Sequence, residues 1–322
     1  MLVKICRYYS YPDIKRQTPK QSFKWEDITF TEDNIDTCDF LVILDYPKTD
    51  ISIKVNPNNI LHLCLEPANE VSKYRQYANK KASVIYNQIN QGGKYVLEQP
   101  ALPWHLDKDY DFFKQLQAKD LKKEDKIVWV TSNQRTSIQH NKRMDFLESI
   151  SDVPQVYLFG RGIKPIENKW DVMKTSKYAI AYENFKSDYY WTEKIADCFL
   201  SYTVPLYFGC NNIDDYFPSE AIIQIDPKDK HIKQFLKETV VSKVYNTKLE
   251  ALKEARELVL DRYQLFPFLS KKINEIVLTK GKSTSDIKTP IHLKGGNAYY
   301  DNYPKSLEIQ RFLRKLKHKF KH

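Results

Sequence analysis

The sequence predicts an α/β protein with two facing Rossmann-like domains, in which parallel strands alternate with helices. Short, nearly continuous apolar runs recur along the chain, as in strands that are buried on both faces. Segments with helical spacing separate many of them, which favours a layered α/β fold. The length of 322 residues is enough for two domains of ordinary size. The predicted boundaries are 1–120, 121–285 and a tail, 286–322.

Four apolar runs in the first domain have the composition of buried strands. A helical pattern at residues 72–80 follows the third run, and a segment rich in Lys and Asp, residues 107–125, contains the predicted domain boundary. The four strand-like runs are residues 1–9, 38–47, 58–67 and 82–88.

The second domain begins with the strand KIVWVTSN, followed by the helical segment NKRMDFLESI and the strand QVYLFGRG. After residue 226, two helices are predicted at 230–243 and 246–266, and the second is strongly amphipathic. From about Lys280 the chain is turn-rich until Leu307.

The central stretch of this domain, residues 177–226, predicts the ligand site. It contains the strand KYAIAYEN, a polar and aromatic loop, a helix capped by Thr192, and the strands VPLYFG and AIIQID. Ligands of doubly wound sheets lie beyond the carboxyl ends of the strands. Because a helix N-terminus and the charge of Lys194 both favour phosphate, the stretch predicts a phosphate-bearing ligand.

The composition restricts the functional classes. The formal charge of +10 indicates anionic partners such as nucleotide sugars, nucleic acid or membrane lipid. Neither a G-x-G-x-x-G fingerprint nor a P-loop is present. Five widely spaced cysteines are typical of reduced thiols in a cytosolic protein, and the N-terminus lacks the apolar core of a signal peptide. We therefore expect a cytoplasmic location.

Several ordered motifs resemble the signature of glycosyltransferase family 10, the α-1,3/1,4-fucosyltransferases. The resemblance is strongest over residues 126–226 and weak over the first hundred. Tyr182 and Trp191 replace the Phe and the smaller apolar residue of the family pattern. The matching motifs are Tyr182-Glu183-Asn184, Asp188-Tyr189-Tyr190-Trp191-Thr192-Glu193-Lys194, Thr203-Val204-Pro205, Gly209 and Tyr216-Phe217-Pro218.

The resemblance implies a GT-B enzyme that transfers L-fucose from GDP-fucose to a glycan hydroxyl, with inversion and without a metal or other cofactor. Arg143, which follows Ser132-Asn133 in the family arrangement, and Lys194 would clamp the diphosphate, with Lys142 and Arg135 as rivals of Arg143. The implied donor-binding residues also include Ser132 and Asn133. Asn184 and Glu193 would hydrogen-bond the ribose or sugar hydroxyls, and Tyr190, ranked above Tyr189, would pack against sugar or base. Glu183 is either a donor contact or an internal acceptor.

The transfer also requires a base that removes the proton of the acceptor hydroxyl. Glu66 follows an apolar run and precedes Pro67, so it is expected at the carboxyl end of a strand. It resembles the catalytic Glu of the family's acceptor half, although the Ser of the family's E-S-P motif is missing. Asp45 and Glu70 are the alternatives.

Two patterns favour a structural interpretation. Asp109-Tyr110-Asp111 resembles a metal-binding Asp-x-Asp motif, but it lies in a charged segment and indicates a solvated surface. His62 alternates within a strand and is expected to be an internally hydrogen-bonded histidine.

Three alternative functions remain open: the same scaffold with a different nucleotide sugar, a family member without catalysis, and a basic nucleic-acid-binding protein. Cations spread along the whole chain and the lack of a nucleic-acid motif disfavour the last. Bacterial relatives commonly build lipopolysaccharide or capsule, so a lipid-linked glycan acceptor is expected.

The C-terminal segment 307–320 places apolar residues at helical spacing among many cations. Such a stripe is typical of a helix that lies on an anionic membrane surface, here the inner face of a bacterial cytoplasmic membrane. A final helix packed on the fold is the alternative.

Overall fold

The computed structural model describes residues 1–67, 80–89, 91–99, 103–280, 287–296 and 305–319. The predicted helix at 72–80 and the candidate base Glu70 therefore lie almost wholly outside the described residues. No helix within the described ranges is long and apolar enough to cross a bilayer. The chain divides into two compact units, the first formed by Met1–Pro103, Asp109–Asp111 and Arg262–Tyr303, and the second by Trp104–Lys108, Phe112–Asp261 and Pro304–His322.

The first unit contains a seven-stranded sheet in the order β2-β3-β1-β4-β6-β7-β8, parallel except for the β2–β3 pair. Its strands are buried on both faces: Val42 and Leu44 belong to one apolar cluster, and Leu41 and Ile43 belong to the other. The strands of the first unit are β1 (Leu2–Arg7), β2 (Lys24–Trp25), β3 (Ile28–Thr31), β4 (Phe40–Leu44), β5 (Ile51–Val55), β6 (Ile60–Leu63), β7 (Val84–Asn87) and β8 (Tyr95–Leu97).

The second unit contains a fully parallel sheet of five strands in the order β10-β9-β11-β12-β13. Its strands are β9 (Glu124–Val130), β10 (Val156–Phe159), β11 (Ser176–Tyr182), β12 (Val204–Phe208) and β13 (Ile223–Gln224). The helices described in the two units together are α1 (Tyr110–Gln115), α2 (Ile138–Ile150), α3 (Lys169–Met173), α4 (Glu193–Leu200), α5 (Ile232–Val241), α6 (Val244–Thr247), α7 (Leu249–Leu258), α8 (Leu265–Lys280) and α9 (Lys305–Lys319). Of these, α8 belongs to the first unit.

The predicted domain boundaries differ from this division. The predicted helix 246–266 is two helices, α7 and α8, joined by a π-helical turn, Val259–Tyr263. Helix α8 returns to the first unit because its apolar side chains, among them Phe266 and Leu269, pack into the cluster on one face of the seven-stranded sheet. Pro267 is compatible with α8 because it lies in the first turn.

The turn-rich tail predicted after Lys280 contains a strand. Residues Thr289–Leu293 form β14, which pairs antiparallel with β5 in a two-stranded sheet of the first unit. Neither strand was predicted, since the pairing joins residues about 240 positions apart and both strands are only partly buried.

Candidate functional site

The candidate site lies at the carboxyl ends of β9 and β11. From β9 the chain passes to β10 on one side, and the later strands extend the sheet on the other side, starting with β11. Such a reversal of strand order leaves a crevice between the two neighbouring strands, where doubly wound folds bind ligands. Ser132 and Asn133 follow β9, and Glu183 and Asn184 follow β11. The structure thus brings the predicted polar residues of both strand ends together.

Arg143 connects the two strand ends. It is 4% exposed and projects from α2. Ser137 caps the N-terminus of this helix by accepting a hydrogen bond from the N–H of His140. Its guanidinium donates to Asn184 Oδ1 at 2.7 Å and to the carbonyl of Ser132 at 2.9 Å. Its Nε has no hydrogen-bond partner within the described part of the chain. Burial lowers the pKa of Arg143 to about 10, so the group stays charged at neutral pH.

Glu183 is an internal acceptor, the second of its two predicted roles. The residue is 1% exposed, and both carboxylate oxygens are occupied. Its Oε1 accepts from the N–H of Thr192 at 2.7 Å, and its Oε2 accepts from the Thr192 hydroxyl at 2.8 Å and from Lys194 Nζ at 3.2 Å. Glu183 therefore holds the N-terminus of α4 against the end of β11 and has no oxygen left for a ligand.

Gly209 makes this arrangement possible. A Cβ at this position would lie 2.4 Å from Cγ of Glu183 and 2.7 Å from the hydroxyl of Tyr207. A side chain here would therefore push Glu183 away from α4.

We expect Gly209→Ala to lower the free energy of unfolding by about 1–3 kcal/mol, the usual cost of overpacking a filled interior. Denaturant unfolding measures this change. In a Glu183→Ala background, where the clashing Cγ is absent, the alanine at position 209 should be less costly. Equal costs in both backgrounds would show that Glu183 is not what the alanine displaces.

Lys194 lies between two carboxylates. Its Nζ is 3.2 Å from Glu183 and 3.5 Å from Glu193. Burial opposes its charge, but the two carboxylates raise the pKa of Lys194 above its ordinary value. Burial likewise opposes the charge of Glu193, while Lys194 and then His105 lower the pKa of Glu193 well below its usual range. The side chains of Lys194 and Glu193 remain 21% and 18% exposed, so both are accessible to a ligand.

A buried ion pair next to α4 was not predicted. Lys169 Nζ contacts Asp197 Oδ2 at 2.7 Å, and the other oxygen of Asp197 accepts from the N–H of His105 at 3.0 Å. The His105 ring then lies 3.9 Å from Glu193. The signal for this network was Asp197, an acid within the apolar helical run IADCFL, which has to find a partner inside the fold.

The structure does not support the predicted contact of Tyr190 with sugar or base. The ring is 4% exposed and packs edge-on against Phe185 at 6.0 Å, so it belongs to the interior and offers little surface for the predicted contact with sugar or base. Tyr189 is half-buried with a φ of 59°, and its N–H donates to Asn212. Together these residues fix the loop that precedes α4.

The remaining candidates near β9 have separate partners. Asn133 is exposed and donates to the carbonyl of Gly162 at 3.2 Å. Arg135 pairs with Asp145 and Glu148 on the surface of α2, which separates it from the strand ends that Arg143 joins. Lys142 is exposed.

A cavity of about 880 Å³ opens at the carboxyl ends of β11, β12 and β13. Tyr182 and Phe208, with ring centroids 4.7 Å apart, form an aromatic part of its wall. Lys142, Lys186 and Asp145 add charges. This volume is typical of sites for small molecules of nucleotide size.

The candidate base and its rival lie in the first unit and have different surroundings. Glu66 is half-buried, lies three residues beyond the end of β6 rather than at it, and accepts from the Tyr8 hydroxyl at 3.2 Å. Asp45 is buried, and its Oδ1 accepts from the N–H groups of Leu65 and Glu66. Asp45 therefore shapes the turn that presents Glu66, and only Glu66 of the two is accessible.

His62 is internally hydrogen-bonded, as its pattern predicted. His62 is 2% exposed, and its Nε2 contacts the Asp45 carbonyl at 2.9 Å. Asp109 and Asp111 accept from Gln21 and Lys20. Within the described ranges no three His, Cys, Asp or Glu side chains are grouped as metal ligands would be. None of the five cysteines forms a disulfide.

Residues 120–245 match the model of the family described as Glycosyltransferase family 10 (fucosyltransferase) C-term. The resemblance to family 10 is confirmed over this segment. The 4-galactosyl-N-acetylglucosaminide 3-alpha-L-fucosyltransferases 9 of Cricetulus griseus and Homo sapiens are each 24% identical over 123 residues, 36% of this chain. The match spans about one third (33%) of the length of these relatives.

Solved structures align with most of the chain. An alpha-glucosyltransferase in complex with UDP and DNA aligns over 85% of this chain and 98% of its own, with 12% identity and a TM-score of 0.51. An alpha1,3-fucosyltransferase with GDP-fucose aligns over 89% and 92%, with 16% identity and a TM-score of 0.49. The predicted α/β fold with Rossmann-like domains of the GT-B type is confirmed.

Proposed function

We propose that the chain is an inverting glycosyltransferase that moves L-fucose from GDP-fucose to a glycan hydroxyl without a metal ion. The observation that carries the proposal is the placement of Arg143 and Lys194 at the two elements flanking the crevice of a family 10 domain. When the sugar–phosphate bond breaks, negative charge develops on the leaving GDP. Fixed cations that are partly shielded from water stabilise such charge most effectively.

The proposed donor site uses the groups that remain available in the second unit. The diphosphate contacts the exposed part of Lys194 and is attracted by the charge of the buried Arg143, and the guanosine occupies the cavity beside Tyr182 and Phe208. Glu193 accepts from hydroxyls of the ribose or fucose, because its carboxylate stays ionised and partly exposed. Asn184 contributes its amide N–H groups, since its Oδ1 accepts from Arg143.

A panel of nucleotide sugars tests the donor. We expect GDP-fucose to raise the melting temperature and to be consumed with release of GDP, because a ligand that binds only the native state stabilises it. EDTA should leave turnover unchanged. A shift with UDP- or CMP-sugars alone would replace fucose by another sugar, and a requirement for a divalent ion would contradict the metal-free mechanism.

Glu66 is proposed as the base. It takes the proton of the acceptor hydroxyl while that oxygen bonds to C1 of fucose and GDP departs from the opposite face. We expect Glu66→Gln to lower turnover by about 10²–10⁴-fold with little change in GDP binding, because glutamine cannot accept the proton. Single-turnover kinetics and calorimetry with GDP separate the two effects. Normal turnover in this variant would remove Glu66 from the mechanism.

The acceptor is proposed to be lipid-linked, as in lipopolysaccharide or capsule synthesis at the inner face of a bacterial membrane. Helix α9 supports this: Ile309, Phe312 and Leu313 are 50–60% exposed, while Leu307 is 9% exposed. Apolar side chains on a helix so rich in Lys and Arg are typical of an interfacial helix.

Deletion of residues 305–322 is expected to abolish co-sedimentation with anionic vesicles while transfer to a soluble acceptor continues. Binding should weaken as salt rises, because each basic residue contributes on the order of 1 kcal/mol through screened charge. Phe312→Asp is a milder variant for the same vesicle experiment, because it leaves the chain at full length. If the shortened protein unfolds, or if binding persists without the helix, the membrane role is wrong.

A further inference from the structure

A second cavity, of about 740 Å³, lies in the second unit at the opposite edge of its sheet. Lys123 precedes β9, Lys177 is the second residue of β11, and Tyr202 precedes β12, so this wall is formed at the amino ends of the strands. Helix α7 forms the other wall with Lys253 and Arg256. The cavity is therefore separate from the donor site, which uses the carboxyl ends.

Arg256 is a buried cation with unsatisfied donors. It is 4% exposed, and its Nη1 is 3.5 Å from the hydroxyl of Tyr202, whose ring it faces at 5.0 Å. Its Nε and Nη2 have no hydrogen-bond partner in the described ranges. Burial lowers the pKa of Arg256, whereas the charges of Glu257 and Asp261 raise it. Neither carboxylate lies within 4 Å of the guanidinium, so neither forms an ion pair with Arg256 in the described ranges. A buried donor without a partner commonly marks a site for an ion or water.

Lys123 adds a second cation without a carboxylate partner. Its Nζ donates to the carbonyls of Met173, Ser176 and Ser201 and to the hydroxyl of Thr203, at 2.6–3.0 Å. All four acceptors are uncharged. Burial lowers the pKa of Lys123 well below its ordinary value, and no carboxylate offsets the charge of its protonated form.

The outer wall is also basic. Lys119 and Lys253 are exposed and form no ion pair among the described residues. The carboxylates of Glu250 and Glu257 line the same cavity and partly offset these charges. Six Lys and Arg side chains and two acids line this space. Lys114 and Lys177 pair with Asp261 and Asp125, which leaves four basic side chains without an ion pair among the described residues.

We propose that this cavity binds the phosphate or pyrophosphate group of a small molecule. Lysine and arginine are the residues that proteins use for phosphate oxygens, and the volume falls within the range of small-molecule sites. Phosphate contacts Lys119 and Lys253 directly. Arg256 attracts it through its charge, and the Tyr202 and Tyr245 rings border the organic part. The site does not depend on transfer activity.

Calorimetry of the full chain with sodium pyrophosphate tests the site. We expect saturable binding that becomes at least about tenfold weaker in Lys119→Glu/Lys253→Glu, since two charge reversals at a partly exposed site together change binding by roughly 1.4 kcal/mol. The control is Lys24→Glu/Lys271→Glu, which makes the same change in net charge on the first unit. Equal affinities in both double variants, or no binding by the wild type, would overturn the proposal.

Two further measurements define the ligand. Pyrophosphate should raise the melting temperature of the wild type by more than that of Arg256→Met, which keeps the donor site. If Arg256→Met does not fold, Lys119→Glu/Lys253→Glu replaces it in this comparison. Phosphatidylcholine vesicles with and without phosphatidic acid identify a lipid source. If phosphatidic acid binds the wild type better than Lys119→Glu/Lys253→Glu while soluble pyrophosphate does not bind, the phosphate belongs to a lipid headgroup. If vesicles bind all variants equally, and pyrophosphate neither binds in calorimetry nor changes the melting temperature, the proposed phosphate site is excluded.

Discussion

Replacement of Lys194 by methionine is expected to lower kcat/KM by about 100- to 1,000-fold, because one fixed charge at the leaving group typically contributes about 2.7–4 kcal/mol to transition-state stabilisation. Stability should fall as well. Glu183 is fully buried and would lose its cation, and breaking a buried pair costs up to about 3–5 kcal/mol, with less expected here because Lys194 is partly exposed.

A double variant separates the two effects. In Lys194→Met/Glu183→Gln the buried carboxylate is neutral, so most of the lost stability should return while turnover stays low. Lys233→Met, which removes an exposed pair with Asp152, is the matched control and should change neither quantity greatly. If the double variant regains turnover together with stability, Lys194 acts only through the fold and the catalytic assignment is wrong.

Arg143→Lys is expected to produce the second large loss, about 100-fold in kcat/KM or more. Lysine keeps the charge, but its single ammonium nitrogen lacks the planar fork whose two terminal nitrogens reach Asn184 and the Ser132 carbonyl, so this bridge is lost. Both GDP affinity and turnover should fall, because the ends of β9 and β11 are no longer held together.

Arg135→Lys, in the segment that precedes the same helix, is the control for Arg143. Its guanidinium pairs with two surface acids, and exposed pairs contribute little. Steady-state kinetics and calorimetry with GDP measure both variants. Turnover of Arg143→Lys at the level of Arg135→Lys would exclude Arg143 from the diphosphate site.

Much of the local structure follows from short-range patterns. The capping role of Thr192 and the first turn of α4 are as predicted, since Thr192 Oγ1 accepts from the N–H of Lys194. The buried strands β1, β4, β6, β7, β9, β11 and β12 coincide with predicted apolar runs. Strand ends and helix starts then place Arg143, Asn184, Glu193 and Lys194 in one crevice, because parallel strands meet at a common edge.

Tertiary structure decided which of these polar groups can reach a ligand. The sequence motif does not reveal that both oxygens of Glu183 accept hydrogen bonds, that the ring of Tyr190 is buried, or that Asp197 pairs with Lys169. The sequence also did not predict the pairing of β14 with β5 or the packing of α8 in the first unit. The physical reason is the range of the interactions: periodicity and capping act within a few residues, whereas burial and ion pairing depend on partners far away in the chain.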